Sequence, residues 1–184
     1  MNSNDVVITG SARTPMGGMM GDLSSVRSPD LGAISIKAAI ERSGLQPADI
    51  QEVIMGCVLP GGLGQAPARQ ASRASGIPDS SGCTTVNKMC GSGMQAVIMA
   101  HDQIKAGTNS IMIAGGMENM SQAPHILRGG RGGFRLGAAP PLEDYLFESL
   151  MDPYCGLFMA QTAEKLATQH DISREEQDTF ALRS

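Results

Sequence analysis

Short apolar runs in this chain alternate with segments of helical period, and that alternation leaves few folds open. Asp5-Val6-Val7-Ile8-Thr9-Gly10 reads as a short buried strand, left by the loop Ala12-Arg13-Thr14-Pro15. Ser28 as N-cap and Pro29 at the first helical position open a helix, in which Leu31, Ile34, Ala38 and Ile40 recur at helix-like spacing until Ser43-Gly44. Residues 53–58 form a second apolar run, ended by Leu59-Pro60-Gly61-Gly62, and a helix over 66–74 follows with Pro67 near its start. Cys83-Thr84-Thr85-Val86-Asn87 has the β-branched content of a third strand. From Gly91 onward Met94, Val97, Ile98, His101 and Ile104 keep a helical period up to Ala106-Gly107, and residues 110–114 form a fourth strand that leaves through Gly115-Gly116. Parallel strands need a crossover where antiparallel ones need only a turn, so the pattern predicts an α/β fold with a mostly parallel sheet flanked by helices.

After Glu118 the texture changes. Gly129-Gly130-Arg131-Gly132-Gly133 and Ala138-Ala139-Pro140-Pro141 interrupt any regular period. The chain is therefore expected to divide into a sheet domain over 1–117 and an excursion over 118–184. Within the excursion residues 158–170 read as a helix, and Ser173-Arg174-Glu175-Glu176 is a capping box that opens another. That last helix has no stop signal before Ser184, so the sequence is expected to end inside an element.

A net charge of −4 offers no general attraction for phosphate polymers or anionic lipid, which sets nucleic acid and membranes aside as partners. No apolar stretch approaches the roughly 20 residues that span a bilayer. The polar start Met1-Asn2-Ser3-Asn4-Asp5 lacks the regions of a secretion signal, and a cytoplasmic location is expected. The four cysteines, Cys57, Cys83, Cys90 and Cys155, contain no CxxC pair, which argues against a zinc site, and a disulfide framework is not expected in a reducing compartment. Cys57 and Cys83 lie in or beside core strands and read as packing residues, as does Cys155 between Tyr154 and Gly156.

Cys90 differs from the other three. A strand running into Gly91-Ser92-Gly93 and then a helix places its thiol at a helix N-terminus, where unpaired N–H groups and the helix dipole favour negative charge. The thiolate is the reactive form of cysteine, and backbone N–H groups at such a turn can also bond the oxyanion formed when a thioester carbonyl is attacked. Bare backbone at Gly91 and Gly93 lets a substrate come close. On position alone the alternative is a buried apolar cysteine in a packing turn.

The residues around Cys90 resemble those of the thiolase family. Val86-Asn87-Lys88-Met89-Cys90-Gly91-Ser92-Gly93-Met94-Gln95-Ala96-Val97 is similar to the family's run around its acyl-accepting cysteine. Ala12-Arg13-Thr14-Pro15-Met16-Gly17, Gly64-Gln65-Ala66-Pro67-Ala68-Arg69-Gln70-Ala71, Gly115-Gly116-Met117-Glu118-Asn119-Met120-Ser121 and Met159-Ala160-Gln161-Thr162-Ala163-Glu164 add four more motifs in order. The resemblance implies a thiolase-like body of two stacked halves, with an inserted loop domain of which 118–184 would be the start, and with the second half absent from this chain. It implies an acetyl-CoA C-acyltransferase of fatty acid metabolism, in which Cys90 takes the acyl group of a 3-ketoacyl-CoA, releases acetyl-CoA, and passes the acyl group to free coenzyme A. Coenzyme A is then a substrate; no cofactor and no metal are implied. Met159 stands where the family places a methionine against the pantetheine arm, and Phe158 stands where several members have histidine, which makes both candidate substrate-binding residues.

The resemblance also implies that an activating histidine, a second cysteine and an asparagine-bound water belong to the family's later half. The expected partners are therefore acyl-CoA, a C-terminal thiolase half, and further copies of the chain in a homo-oligomer. His101 lies about three turns down the helix from Cys90 and cannot reach its sulfur. His125 in the excursion and His170 at a helix end have structural readings, and Arg128, Arg131 and Arg135 read as a solvated loop that could meet phosphate. The alternative to an enzyme is a catalytically inert half-thiolase that acts as an interaction subunit through its exposed sheet edge and apolar faces. A ketoacyl carrier-protein synthase fits the Cys90 context less well.

Overall fold

The computed structural model describes residues 5–184, and the opening run Met1 to Asn4 lies outside them. The chain forms two compact units, Met1–Pro124 and His125–Ser184.

In the first unit, α1 (Ser28–Ser43) starts one residue earlier than the sequence suggests. Arg27, in extended backbone, is the N-cap, and Ser28 is buried inside the first turn. Arg27 suits the boundary because its carbonyl accepts from the Asp30 and Leu31 amides while its guanidinium bonds Leu63 O and Gln70 Oε1. The buried face of α1 is Gly32, Ala33, Ile36 and Ile40, and Ile34, expected inside, points outward. Gly32 explains the rotation. A Cβ there would lie 2.9 Å from Met117 Sδ and 3.3 Å from Ala71 Cβ, so the helix approaches its neighbour along the glycine.

That neighbour is reached through β1 (Glu52–Gly56) and is α2 (Pro67–Ala74). There follow β2 (Gly82–Val86), α3 (Ser92–Lys105) and β3 (Met112–Gly116). The three strands are parallel in the order β2-β1-β3, with Glu52 opposite both Gly82 and Met112. The chain moves to one side of β1 through α2 and back across it through α3, so right-handed crossovers put these helices on opposite faces of the sheet. Strand alternation agrees with this. Val53, Met55 and Cys57 join Ile36, Ile40, Ala68 and Ala71 in one core, whereas Gly56 faces the start of α3. β3 runs two residues beyond the expected strand, through Gly115 and Gly116. The start of α3 packs closely on this end, and a Cβ on Gly116 would lie in van der Waals contact with the Gly93 Cα, at 3.5 Å.

The strand expected at residues 5–10 does not form. The order β2-β1-β3 leaves an outer edge on β2 and on β3, but the segment packs along α1 instead, with Gly10 against Ala39 and Ser43 and the Arg42 guanidinium donating to Ser11 O at 2.7 Å. With no ladder and no sheet face to cover them, Val7 and Ile8 stay exposed, Ile8 at 82%.

The second unit holds a two-residue antiparallel pair, β4 (His125–Ile126) and β5 (Glu143–Asp144), then α4 (Tyr145–Leu150), α5 (Met159–Gln169) and α6 (Arg174–Arg183). Ser173 and Glu176 form the capping box read from sequence, with bonds of 3.2 and 2.8 Å. No residue of this unit is buried. Among the described residues no helix is long and apolar enough to cross a membrane.

Candidate active site

Parallel strands send all their following loops to one edge of the sheet, and a crevice opens where neighbouring strands feed helices on opposite faces. In this chain that point lies between β1, which leads to α2, and β2, which leads to α3. The loop after β2 carries Cys90, one residue ahead of Gly91, the N-cap of α3. Cys90 is exposed in this chain, whereas the packing-turn alternative expects it buried.

The Cys90 loop is held by its own side chains. Asn87 Oδ1 accepts from the Met89 amide at 3.0 Å, and Ser92 Oγ accepts from the Lys88 amide at 2.9 Å while donating to the Met89 carbonyl. These bonds sustain a left-handed backbone at Met89, with φ of 49°, a costly conformation for a residue with a side chain and one that concentrates at functional sites. Asn87 Nδ2 reaches across to Val58 O at 3.2 Å, tying the loop to the one after β1. α3 has no side-chain cap bond, and the amide of its first residue, Ser92, donates to the Met89 carbonyl at 3.0 Å. A Cβ on Gly91 would meet the Lys88 carbonyl oxygen at 3.4 Å, and one on Gly93 would meet the Gly115 and Gly116 backbone at 3.8–3.9 Å, so Gly93 packs on the end of β3.

Glu118, just past β3, closes the arrangement from below. Its carboxylate accepts from the Val58 amide at 2.7 Å, the Leu59 amide at 3.2 Å and the Cys57 thiol at 3.6 Å. Burial, the Glu118 charge and that thiol hydrogen bond together push the Cys57 pKa up to about 12, so Cys57 remains a thiol at neutral pH. Asn119 Nδ2 donates to the carbonyls of Leu23, Ser24 and Val26, and Gln122 Nε2 also donates to Ser24, which binds the long loop before α1 to the same edge. Sequence reasoning missed Glu118 and Asn119 as site-builders. A carboxylate straight after a paired-glycine strand end was the available signal.

Cys83 is half-buried against the core, as expected. Cys155 is a correction: it is exposed in a turn closed by Asp152, whose Oδ1 accepts from Tyr154 and Cys155, and that polar turn leaves the sulfur nothing to pack on. Phe158 and Met159 lie together in the second unit as N-cap and first residue of α5. The Phe158 ring stands 4.1 Å from that of Phe147 and the Met159 side chain is exposed. Arg128 pairs with Glu143 at 2.8 Å, while Arg131 and Arg135 are exposed. His101 is exposed beside Asp102, and His170 ends α5. Among the described residues no group of three or more His, Cys, Asp or Glu could hold a metal ion.

Residues 6–184 match the family model described as thiolase, N-terminal domain. An acetyl-CoA acetyltransferase of Cupriavidus necator is 48% identical over 180 residues, which cover 98% of this chain and 46% of the relative. Acetyl-CoA acetyltransferase 2 of Arabidopsis thaliana is 47% identical, over 100% of this chain and 46% of its own length. Among solved structures, Acat5 thiolase from Ascaris suum in complex with coenzyme A matches with a TM-score of 0.87 at 41% identity, over 96% of this chain and 46% of that one. The chain thus spans about half the length of the curated relatives it matches.

Proposed function

The chain belongs to the thiolase family, whose N-terminal domain it matches, and from that premise we propose that Cys90 is the acyl acceptor of an acetyl-CoA C-acyltransferase. The observation that carries this reading is an exposed cysteine one residue ahead of the α3 N-cap, at the strand-end edge of a parallel sheet where binding sites of such folds are found. The Cys90 thiolate attacks the thioester or 3-keto carbonyl of an acyl-CoA. From acetyl-CoA the new Sγ–C bond replaces the bond to the coenzyme A sulfur, and coenzyme A leaves as a thiolate that takes up a proton. From a 3-ketoacyl-CoA the Cα–Cβ bond breaks, and the released carbanion takes up a proton to become acetyl-CoA. In both cases the acyl group then returns to a coenzyme A thiol. N–H groups at the start of α3 suit the oxyanion of each addition. Coenzyme A is a substrate, no metal or resident cofactor takes part, and Phe158 and Met159 are assigned to the acyl-CoA.

Proton transfer ordinarily contributes about 10²- to 10⁴-fold to such a reaction, and the groups for it are assigned to the part of the relatives' length that this chain does not span. The test incubates the protein with acetyl-CoA or acetoacetyl-CoA, alone and with a chain supplying that remaining length, and maps acyl adducts by peptide mass spectrometry. An adduct on Cys90 is expected. Its absence under both conditions overturns the reading.

A second reading, an inert assembly subunit, is favoured by one observation. Met94, Val97 and Ile98 repeat along the outer face of α3 and are exposed, Met94 at 73%. A stable homodimer by solution mass, unreactive toward every acyl-CoA, would favour it over the enzyme.

A further inference from the structure

Glu118 and Asn87 grip the same peptide group from its two ends. The peptide joining Val58 to Leu59 carries the Leu59 N–H and the Val58 C=O. The first donates to Glu118 Oε1 at 3.2 Å, and the second accepts from Asn87 Nδ2 at 3.2 Å. A peptide is planar, so fixing its N–H fixes the direction of its C=O. Glu118 sets that plane firmly, because its other oxygen holds the preceding amide, Val58 N–H, at 2.7 Å. An ionised acceptor on the N–H also strengthens the bond made by the carbonyl of the same group. Asn87, aimed by that carbonyl through its amide nitrogen, uses its oxygen to hold the Met89 N–H at 3.0 Å, and Met89 is the left-handed residue immediately before Cys90. A continuous path therefore runs from the end of β3, through the loop after β1, to the loop after β2. From it we infer that Glu118 is a positioning residue for the Cys90 thiol, acting through the Val58–Leu59 peptide and Asn87, an inference that rests on Cys90 being the acyl acceptor.

Glu118 touches no reacting atom; its effect is to keep the strained turn at Met89 in the one conformation that presents Cys90 ahead of α3. The buried Cys57 thiol, the third group on the carboxylate, helps to keep Glu118 aimed at the loop.

The test measures the rate of Cys90 acylation by acetyl-CoA in the wild-type protein, Glu118→Gln, Asn87→Asp and the double variant, under the conditions that acylate the wild type, with the unfolding midpoint of each. The Glu118→Gln side chain keeps one acceptor and presents a donor to the other amide. The Asn87→Asp side chain keeps the oxygen that holds Met89 but loses the donor to Val58. Each single change is expected to slow acylation about tenfold, the scale of one broken hydrogen bond. The double variant is expected to be no slower than the slower single one, because both changes cut one path. Multiplying effects would show two independent structural losses and overturn the inference, as would wild-type rates in either single variant. A wild-type protein that never acylates sinks the acyl-acceptor reading and this inference together, an outcome distinct from both. If Glu118→Gln does not fold, Asn87→Asp in its exposed loop decides: slowed acylation supports the path, and an unchanged rate overturns it.

Discussion

Cys57 and Cys90 show how the same side chain is assigned opposite chemistry by its surroundings. Cys57 sits at 1% exposure beside a carboxylate, and burial first, then the Glu118 charge, then the thiol–carboxylate hydrogen bond, all penalise its thiolate. This has a consequence for stability. With a folded pKa of about 12 against an ordinary value of 9.0, Cys57 contributes a constant amount below pH 9 and a falling one above it, because the unfolded chain releases the proton first. The stability difference between wild type and Cys57→Ala should therefore shrink between pH 9 and 12, by up to about 1.4 kcal/mol per pH unit. Urea unfolding across that range reads it, and a pH-independent difference would contradict it. Subtracting the variant removes the lysines and tyrosines that titrate in the same window. The place of Cys90 ahead of a helix start was legible from sequence because its neighbours encode a strand, a glycine turn and a helix, all of them local signals. Glu118 was not, since its partners are some 60 residues away in the chain and only the sheet brings them together.

At the level of elements, the place of the Cys90 loop depends on how closely α3 can dock on the strand ends, and Gly56 sets that distance. A Cβ there would lie 2.6 Å from the Ser92 carbonyl carbon and 2.7 Å from the Gly93 nitrogen, both backbone atoms with no rotamer to yield. Gly56→Ala must therefore push back the first turn of α3, with the Cys90 loop attached to it, and should cost about 1–3 kcal/mol as overpacking does. Gly93→Ala, whose Cβ would meet nothing nearer than 3.8 Å, should be close to neutral, and urea midpoints of the two variants compare them directly. The three paired strands and the helices other than α4 were legible to within a residue or two, because hydrophobic period and terminal Gly, Pro or capping residues signal them locally. Residues 5–10 carry the same strand signal and form none, because the contacts that hold this segment along α1, Gly10 on Ala39 and Ser43 and Arg42 on Ser11, lie some 30 residues away in the chain and leave no local trace. The β4–β5 pair escaped notice because two-residue strands have no period. α4 left one cue, Asp144 ahead of Tyr145-Leu146-Phe147-Glu148, whose side chain does cap it.

Over the whole molecule the buried residues are unevenly shared. Among the described residues every buried one falls between Ser28 and Met117, and residues 125–184 contain none. Ordering a residue costs roughly 1–2 kcal/mol of backbone entropy, and burial of apolar surface is the main offset, so a segment of this length without a core has little to hold it shut. Its helices carry large apolar side chains in the open, including Phe147, Met159, Leu166, Phe180 and Leu182. In the chain by itself, amides of α5 and α6 should exchange with deuterium at least about tenfold faster than those of β1 and α3, because local opening costs less where few apolar contacts must break. The ordering should be independent of the intrinsic helix quality of α6, whose capping box is complete, since a cap contributes only about 1 kcal/mol. Exchange resolved by peptide and mass measures this. Adding a chain that supplies the rest of the relatives' length should slow exchange in α5 and α6 selectively if that chain covers them. Equal protection of β1 and α5 in the single chain would show instead that a second copy already buries those side chains, and would move the weight of the function toward assembly.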